Sequence, residues 1–526
     1  MTKPSLRLLA LIAVAALAWF AIDLSRHRAT TGAHSGNRVS ARAPGRPASK
    51  QCPKVGGVLT FARSADVTDW YYNLDNPSIS AWPLVNLPLV RNNIDATAVE
   101  GMAATSWEAN ADSTVFTFHL RDGLRFSDGT SLTSADVLDS FQRNYADPKS
   151  TLKSRIPQAV FSAPDANTFV IRLAQTYPAF VEQQLPGIGI HPKGADPRVM
   201  MEAPVSAGPF VLAGWRKGQM ARLIRNPYYW NQPYPCLDEL RLNVVGDSAT
   251  QAIQLRAGQV DAVQDPLPSQ LVELERAPHV LVKVFPTLAG SLIRLQRVKQ
   301  PAFADVNVRK AMNYAIDKEA IANVVFFGTA KPMDSEAPRT KFYAPQTPYA
   351  YDLAKARALM AQSKYRNGFR TELLIASGDP VESGIATIVK YQLAKIGITV
   401  KIQQVEAGTK FQLRGNKQFE MFLASTSADQ IDPEGYWEFC CAAGFGFDSA
   451  WTDYRSPEMI ALFAEAKRVA GARRAELFAQ MQKIGWDDAA QLYLVFVDAP
   501  IAMRDRVHGY RSTPTRHLYL ETVYLD

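Results

Sequence analysis

The sequence is poor in cysteine, with four in 526 residues, which argues against a small scaffold held together by disulfides. None of the four has a zinc-like spacing to a histidine. Cys52 and Cys236 each lie just before a predicted strand, and they can form a disulfide in an oxidising compartment. Cys440 and Cys441 are adjacent, and two readings stay open for them: a vicinal disulfide or two small buried apolar side chains.

The sequence also lacks the common catalytic and nucleotide-binding motifs. It contains no H-E-x-x-H zinc motif, no G-x-S-x-G nucleophile elbow, no Walker phosphate loop and no G-x-G-x-x-G after a strand. The seven histidines are scattered and form no pairs on a helical face. We therefore expect no catalytic residue, no metal site and no cofactor, and the protein is not expected to be an enzyme.

Outside the first 50 residues the chain carries almost no net charge. The overall charge is +8, and residues 1–50 supply eight basic side chains against one acidic side chain. The rest of the sequence is therefore nearly neutral. A nucleic-acid-binding protein would spread its basic residues over the folded body, so nucleic acid is not expected to be a partner.

No uncharged apolar run near the N-terminus is long enough to cross a bilayer comfortably. Leu8–Ile22 has 15 such residues after Lys3 and Arg7, whereas a span needs about 20. This pattern is typical of an export signal. Arg26 and Arg28 follow closely, so an uncleaved membrane anchor stays open. We assign residues 1–31 to a signal peptide or signal anchor and residues 32–51 to a flexible tether.

What the sequence does contain is an alternation of strand and helix patterns. Val115–Leu120 alternates apolar and polar residues with period two, as a half-buried strand does. Thr133 and Asp136 form a capping box before an amphipathic helix. Ile385–Ile396 ends at Gly397, directly before a further alternating strand. Alternation of this kind predicts an α/β protein.

Five segments, in the same order along the chain, resemble the solute-binding family 5, the extracytoplasmic peptide, dipeptide and nickel receptors of ABC importers. Together they place the resemblance over about residues 55–526. The segments are "TSWEANADSTVFTFHLRDGLRFSDGTSLTSADVLDSFQR" (105–143), "SAGPFVLAGWRKGQMARLIRNPYYW" (206–230), "FADVNVRKAMNYAIDKEAIANVVFFGTAKP" (303–332), "YDLAKARALMAQSKY" with "YQLAKIGITVKIQ", and "VHGYRSTP".

The resemblance implies a two-lobed periplasmic-binding-protein fold of type II, with an extra subdomain in lobe one. Lobe one would comprise residues 52–285, with the inserted subdomain at about 88–225, and would be completed by the C-terminal return at 491–526. Lobe two would comprise residues 286–490. The ligand would be held between the lobes, and closure would bury it.

The resemblance also points to ligand-binding residues in the segment 414–437. Peptide-binding members have an aspartate before an Asp-Pro pair that binds the ligand's α-ammonium, and Asp429 has that position here. Arg414 is a candidate partner for a ligand carboxylate, because a guanidinium suits a carboxylate. Further candidates are Thr426, Ser427 and Trp437, together with Tyr72 in an aromatic loop whose members either line the cleft or pack between subdomains. Asp432 is expected to be a turn and capping residue.

The function that follows is an extracytoplasmic receptor, expected to be monomeric, that delivers a small peptide or peptide-like ligand to the ABC permease subunits of the inner membrane. The sequence lacks an arginine that the dipeptide branch uses to bind its ligand, and Leu423 replaces an arginine of the oligopeptide branch, so a longer peptide and an amine-bearing, opine-like solute stay open. A membrane-anchored sensor is a second alternative, and a hydrolase is the least favoured.

Overall fold

A computed structural model of the chain describes residues 40–42, 52–71, 76–148, 150–428, 430–440 and 452–526. The predictions made for Tyr72, Asp429 and Cys441 concern positions outside these ranges. Within them, none of the helices has the length and apolar character that a membrane span requires.

Most of the described strands belong to two sheets, one of five strands and one of eleven. The strands in chain order are β1 Ser40–Arg42, β2 Val58–Arg63, β3 Val90–Asn92, β4 Val99–Gly101, β5 Ala104–Ala109, β6 Val115–Leu120, β7 Val160–Asp165, β8 Thr168–Arg172, β9 Phe210–Arg216, β10 Met220–Arg225, β11 Glu239–Val244, β12 Ala262–Gln264, β13 Val280–Leu295, β14 Ala330–Pro332, β15 Phe369–Ala376, β16 Ile398–Val405, β17 Met421–Thr426, β18 Leu492–Arg504, β19 Val507–His508 and β20 Tyr524–Leu525.

The helices lie between these strands, and many of them begin at a capping side chain. The predicted capping box of Thr133 and Asp136 is confirmed, with both reciprocal hydrogen bonds present. The helices are Asn76–Ala81, Ser134–Ala146, Leu152–Arg155, Phe180–Gln184, Pro197–Met200, Ser248–Arg256, Leu271–Arg276, Val306–Ala315, Lys318–Val324, Leu353–Gln362, Pro380–Ala394, Ala407–Gly415, Glu434–Cys440, Pro457–Ala466 and Gly471–Asp487, with 3-10 turns at Trp82–Leu84, Pro268–Gln270 and Pro301–Ala304.

The eleven-stranded sheet contains two groups of parallel strands that run in opposite directions. In one group β11 and β12 both pair with β2 in parallel. In the other, β16 and β17 both pair with β15 in parallel. Because the groups are oriented oppositely, their carboxyl ends point toward each other along the sheet.

Two long antiparallel strands, β13 and β18, connect the groups. The first part of β13 pairs with the last part of β18, next to β12, and the second part of β13 pairs with β17. The register between β13 and β18 shifts between Phe285 and Ala289. A shift of this kind interrupts the hydrogen-bond ladder between the strands and bends the strand. We therefore expect the sheet to bend where its two halves meet.

The buried apolar residues form separate clusters that fit a two-lobed α/β fold. One set of clusters draws its buried residues from positions 292 to 496. A second set combines residues 59–85, 210–280 and 501–525. A third cluster, from Leu87 to Ala207, packs around the five-stranded sheet. Residues 501–525 therefore share a buried cluster with residues 59–85.

We call the part of the chain built on this third cluster and the five-stranded sheet the inserted subdomain. The sequence predicted that it extends to about residue 225. In the structure β9 and β10 instead belong to the large sheet, because residues 220–224 of β10 pair with β11 and β9 pairs with β10. In β6 the side chains of Phe116, Phe118 and Leu120 face the core, as the period-two pattern predicted.

Candidate ligand-binding site

A cavity lies where the carboxyl ends of the two parallel strand groups face each other. It has a volume of about 230 Å³. One wall follows the ends of β2 and β12, and the other follows the end of β17, with Ala289 of β13 between them. The lining residues are Arg63, Ser64, Ala65, Pro77, Ile79, Ser80, Gln264, Asp265, Ala289, Ser425, Ser427, Ala428, Pro514, Thr515 and Arg516.

Ligand sites of α/β proteins form outside the carboxyl ends of strands, because backbone and loop groups converge there. Here two strand groups contribute such ends to one cavity, one group from each half of the large sheet. A solute bound in the cavity would touch residues of both halves. Its binding energy would therefore favour the arrangement in which the halves are close together.

The described lining is polar, and its charged groups are fixed by local contacts. Arg63 is almost fully buried and donates hydrogen bonds from Nη2 to the carbonyl oxygen of Pro77 at 2.8 Å and to Oγ of Ser80 at 2.7 Å. Arg516 forms an ion pair with Asp265. Two guanidinium groups and one carboxylate thus line the cavity, which leaves an excess of one positive charge among the described lining residues.

Of the predicted site residues, Ser427 lies in the cavity wall. Its neighbours Ser425 and Ala428 also line the cavity, so the end of β17 and the residues after it form this wall. Asp429 is the next residue in the sequence, but it lies outside the described ranges. Its role as the ammonium-binding residue stays a prediction.

Three other predicted residues are not among the lining residues. Thr426 is buried at the end of β17, where it pairs with Gly290. Trp437 is fully buried and meets Tyr436 edge-on at 5.8 Å between ring centroids. Arg414 stacks on Phe411 in its own helix, with 4.8 Å between the guanidinium carbon and the ring centre. Their roles in binding stay predictions.

The two described aromatic residues before Tyr72 make packing contacts. Trp70 is buried and meets Trp215 edge-on at 6.2 Å. The Tyr71 ring lies 4.7 Å from the His191 ring, and burial raises the pKa of the Tyr71 hydroxyl. Neither residue is in the cavity lining. Packing between elements therefore accounts for these two positions.

Arg63, Asp265 and Arg516 were missed by the sequence analysis. Each is surrounded by ordinary loop or strand residues, and Asp265 and Arg516 are 251 positions apart. The available signal was their position: Arg63 is the last residue of β2, and Asp265 follows the last residue of β12. Polar residues at the carboxyl ends of neighbouring parallel strands are candidates for a shared site.

A buried ionic cluster follows the lining segment that contains Ser427. Asp432 accepts hydrogen bonds from the Glu434 amide at 2.9 Å and from Nη2 of Arg474 at 2.7 Å. The first of these bonds fits the turn and capping role predicted for Asp432. Glu434 accepts from the same Arg474 nitrogen at 2.9 Å and from Oη of Tyr177 at 2.6 Å. Burial raises the pKa of the Glu434 carboxyl, and Arg474 opposes that shift.

Residues 98–446 match the model of the bacterial extracellular solute-binding proteins, family 5. A curated relative, the "Probable D,D-dipeptide-binding periplasmic protein DdpA" of Escherichia coli, is 28% identical over 435 residues. The aligned region covers 80% of this chain and 83% of that protein.

Solved structures with the same fold include two binding proteins in complex with ligands. The periplasmic binding protein DppA from Helicobacter pylori, in complex with the peptide STSA, is 28% identical with a TM-score of 0.77, and the match covers 90% of this chain and 98% of that one. AgaA from Agrobacterium tumefaciens, in complex with agropinic acid, is 24% identical with a TM-score of 0.75, and the match covers 89% and 99%.

Proposed function

The chain belongs to the family 5 bacterial extracellular solute-binding proteins, and we propose on this basis that it captures a small peptide-like ligand between its lobes for delivery to an ABC permease. As a member of this family it is a substrate-binding protein of the ABC importer type and not an enzyme.

One observation carries the proposal: a single polar cavity receives the carboxyl ends of strands from both halves of the large sheet. We propose that residues 52–285 and 491–526 form one lobe, that residues 286–490 form the other, and that the cavity is the ligand site between them. The two long strands β13 and β18 would act as the hinge, since their register shift lies beside the cavity.

The charges around the cavity favour a ligand with both an ammonium and a carboxylate group. The described lining has one excess positive charge, which suits a ligand carboxylate near Arg63 or Arg516. Asp429 follows the lining residue Ala428 in the sequence and would supply the carboxylate that binds the ammonium group. A short unblocked peptide has both groups, an ammonium at its N-terminus and a carboxylate at its C-terminus.

The size of the cavity favours a short ligand. Its volume of about 230 Å³ lies below the range of roughly 300–1,000 Å³ that holds drug-sized ligands. The lining also consists mostly of small and polar side chains, and no aromatic side chain is among the described lining residues. We therefore propose a compact polar solute of peptide-like chemistry, and not a long apolar peptide.

Ligand binding would control delivery through the closed state. A solute that touches both lobes stabilises the closed arrangement by its difference in affinity for the closed and open states. A permease that recognises the closed arrangement would then accept loaded receptors and reject empty ones. We propose that the protein works as a monomer outside the cytoplasmic membrane, after export by its N-terminal segment.

The identity of the ligand is tested by mass spectrometry of small molecules that co-purify with the exported protein, followed by calorimetry with those compounds. We expect a short peptide-like zwitterion that binds with one-to-one stoichiometry. A ligand without an amino group would contradict the proposed ligand class. Sequencing the N-terminus of the exported protein separates a cleaved receptor from an anchored sensor.

The location of the site is tested by filling the cavity. Replacing Ser427 by tryptophan should abolish binding of the co-purifying ligand, because the larger side chain would occupy much of a cavity of about 230 Å³. The measurement is the calorimetric affinity, with circular dichroism as a check of folding. Ser131→Trp is the matched control, since Ser131 is exposed and lies outside the cavity lining. Full affinity in Ser427→Trp would place the site elsewhere.

The proposed role of Asp429 is tested by replacing it with asparagine. A charge-assisted hydrogen bond contributes about 1.5–3 kcal/mol, so Asp429→Asn should weaken binding of the native ligand by at least about tenfold. Acetylating the ligand's amino group should weaken binding to the wild type but should have much less effect on the variant. The control is Asp112→Asn in an exposed turn. Equal losses on acetylation in both proteins would contradict the role of Asp429.

A further inference from the structure

The inserted subdomain touches the segment Gln430–Glu438 of the other lobe through buried polar groups. Tyr177 of the subdomain donates a hydrogen bond from Oη to Oε1 of Glu434 at 2.6 Å, and the same hydroxyl accepts one from Gln184 at 2.9 Å. The side chain of Glu434 is completely buried, and Tyr177 belongs to the apolar cluster of the subdomain. The hydrogen bond therefore joins two separate cores.

The Glu434 side of this contact is held rigidly by Arg474. The guanidinium group contacts both Asp432 and Glu434, and all three side chains are at least 97% buried. Arg474 also donates a hydrogen bond to the carbonyl oxygen of Ala466. Contacts within its own lobe thus fix the position of the Glu434 carboxylate, independently of the hydrogen bond from Tyr177.

Further polar contacts surround the central one and also join the subdomain to the other lobe. Arg155 forms an ion pair with Glu438 at 3.5 Å. Lys341 forms one with Glu182 at 2.7 Å. Asn92 donates a hydrogen bond to Gln430 at 3.2 Å. The contacts between the subdomain and the other lobe therefore involve Gln430, Glu434 and Glu438 of this segment, and Lys341 outside it.

The charges around Glu434 balance only when the subdomain is in contact with the other lobe. Glu438 also pairs with Lys467 at 2.8 Å. Three carboxylates, Asp432, Glu434 and Glu438, thus face three cations. Two of the cations, Arg474 and Lys467, come from the same lobe as the carboxylates, and the third is Arg155 of the subdomain. Separation would leave a net negative charge on one surface and Arg155 unpaired on the other.

We propose that the contact of Tyr177 and Arg155 with Glu434 and Glu438 is a closure latch: it holds the lobes together and thereby sets the fraction of closed receptor before ligand arrives. The inference rests on the proposed movement of the lobes but not on the identity of the ligand. Because apparent affinity is proportional to the competent fraction, the latch would also act as a determinant of affinity outside the cavity.

The latch is tested with Tyr177→Phe, which removes one hydroxyl and preserves the ring. A hydrogen bond to a charged acceptor is a strong one, so the ratio of closed to open protein should fall by about tenfold. The first measurement is the radius of gyration of the full chain in small-angle scattering after co-purified small molecules are removed. We expect a larger radius for Tyr177→Phe than for the wild type.

Tyr145→Phe is the matched control, because Tyr145 lies in the same apolar cluster and packs edge-on against Phe161 at 5.4 Å. It should keep the radius of the wild type. A second measurement is hydrogen exchange of the backbone amides from Glu434 to Glu438. Exchange there should accelerate in Tyr177→Phe and stay unchanged in helix Val306–Ala315. Equal radii and equal exchange in wild type, variant and control would overturn the latch.

Failure of the latch and failure of the proposed function give different results. If the latch is wrong but the function is right, Tyr177→Phe binds the co-purifying ligand as tightly as the wild type and has the same radius. If the function is wrong, no peptide-like zwitterion co-purifies with the wild-type protein, whatever the variant does. A latch that works should lower the affinity of Tyr177→Phe by up to about tenfold.

Discussion

Replacing Arg474 by methionine is expected to lower the free energy of unfolding by about 3–5 kcal/mol. The variant would leave Asp432 and Glu434 buried without the cation that contacts both of them. An uncompensated buried carboxylate loses its hydration and gains no partner in return, which is the costly half of a broken buried ion pair. Burial by itself lowers the pKa of Arg474, but the two carboxylates raise it above its ordinary value.

The loss of unfolding free energy in Arg474→Met should become smaller as the pH falls. Without Arg474, burial and repulsion from Asp432 would hold the carboxyl pKa of Glu434 above its unfolded value. The folded variant would then bind protons more readily than the unfolded one, so its stability relative to the wild type should improve as the pH falls. Urea unfolding at neutral and mildly acidic pH, followed by tryptophan fluorescence, measures both effects.

Arg473 offers a matched control in the adjacent position. Its guanidinium group is about half exposed and pairs with Glu465 and Glu476 on the surface. Surface ion pairs of this kind contribute little to stability, so Arg473→Met should unfold at nearly the wild-type urea concentration. If Arg474→Met also unfolded at nearly the wild-type urea concentration, Asp432 and Glu434 would have to be hydrated. Glu434 would then not be held rigidly by Arg474, as the closure latch requires.

Much of the fold follows from local patterns that the sequence displays directly. The alternation in Val115–Leu120 and the Thr133–Asp136 capping box each depend on neighbours within a few residues. Both are confirmed. The continuous apolar stretch Leu492–Val497 likewise lies in a strand, β18. Short-range rules suffice in these cases because the interactions that decide the structure are themselves short-range.

The candidate site is harder to predict, because it depends on which distant segments meet. Arg63, Asp265 and Arg516 come together only through the pairing of β2 with β12 and through the return of the C-terminus. Ser427 was found through the family resemblance, which carries three-dimensional information that periodicity does not. The sequence placed β9 and β10 within the predicted subdomain at about 88–225 for the same reason: the pairing of β10 with β11 is a long-range choice.

The burial of Arg474 can be predicted from the spacing of apolar residues in its helix. It precedes Leu477, Phe478 and Met481 by three, four and seven positions, so it lies on the buried face of its helix. An arginine on an apolar face requires buried acceptors, because an unpaired buried charge is too costly. That argument predicts partner carboxylates in another segment, but the sequence does not say which of the many acidic residues they are.

Removing the disulfide between Cys52 and Cys236 is expected to have an effect of similar size. The two cysteines are 184 positions apart, and their Cα atoms are 5.5 Å apart in the folded chain. A cross-link that closes so long a loop restricts the unfolded chain strongly, and loss of a native disulfide costs about 2–5 kcal/mol. Cys52→Ala with Cys236→Ala should therefore unfold at a clearly lower urea concentration than the wild type.

The position of the disulfide explains why its loss should also affect the candidate ligand-binding cavity. The residues that follow Cys52 and Cys236 enter β2 and β11, which pair in parallel from Val58 with Glu239 onward. The disulfide thus ties together the starting ends of the two strands, and β2 leads to Arg63 at the cavity. A reducing agent should destabilise the wild type and leave the double variant unchanged. If reduction destabilised both proteins equally, the stabilisation would come from another cysteine pair, and this bond would be dispensable.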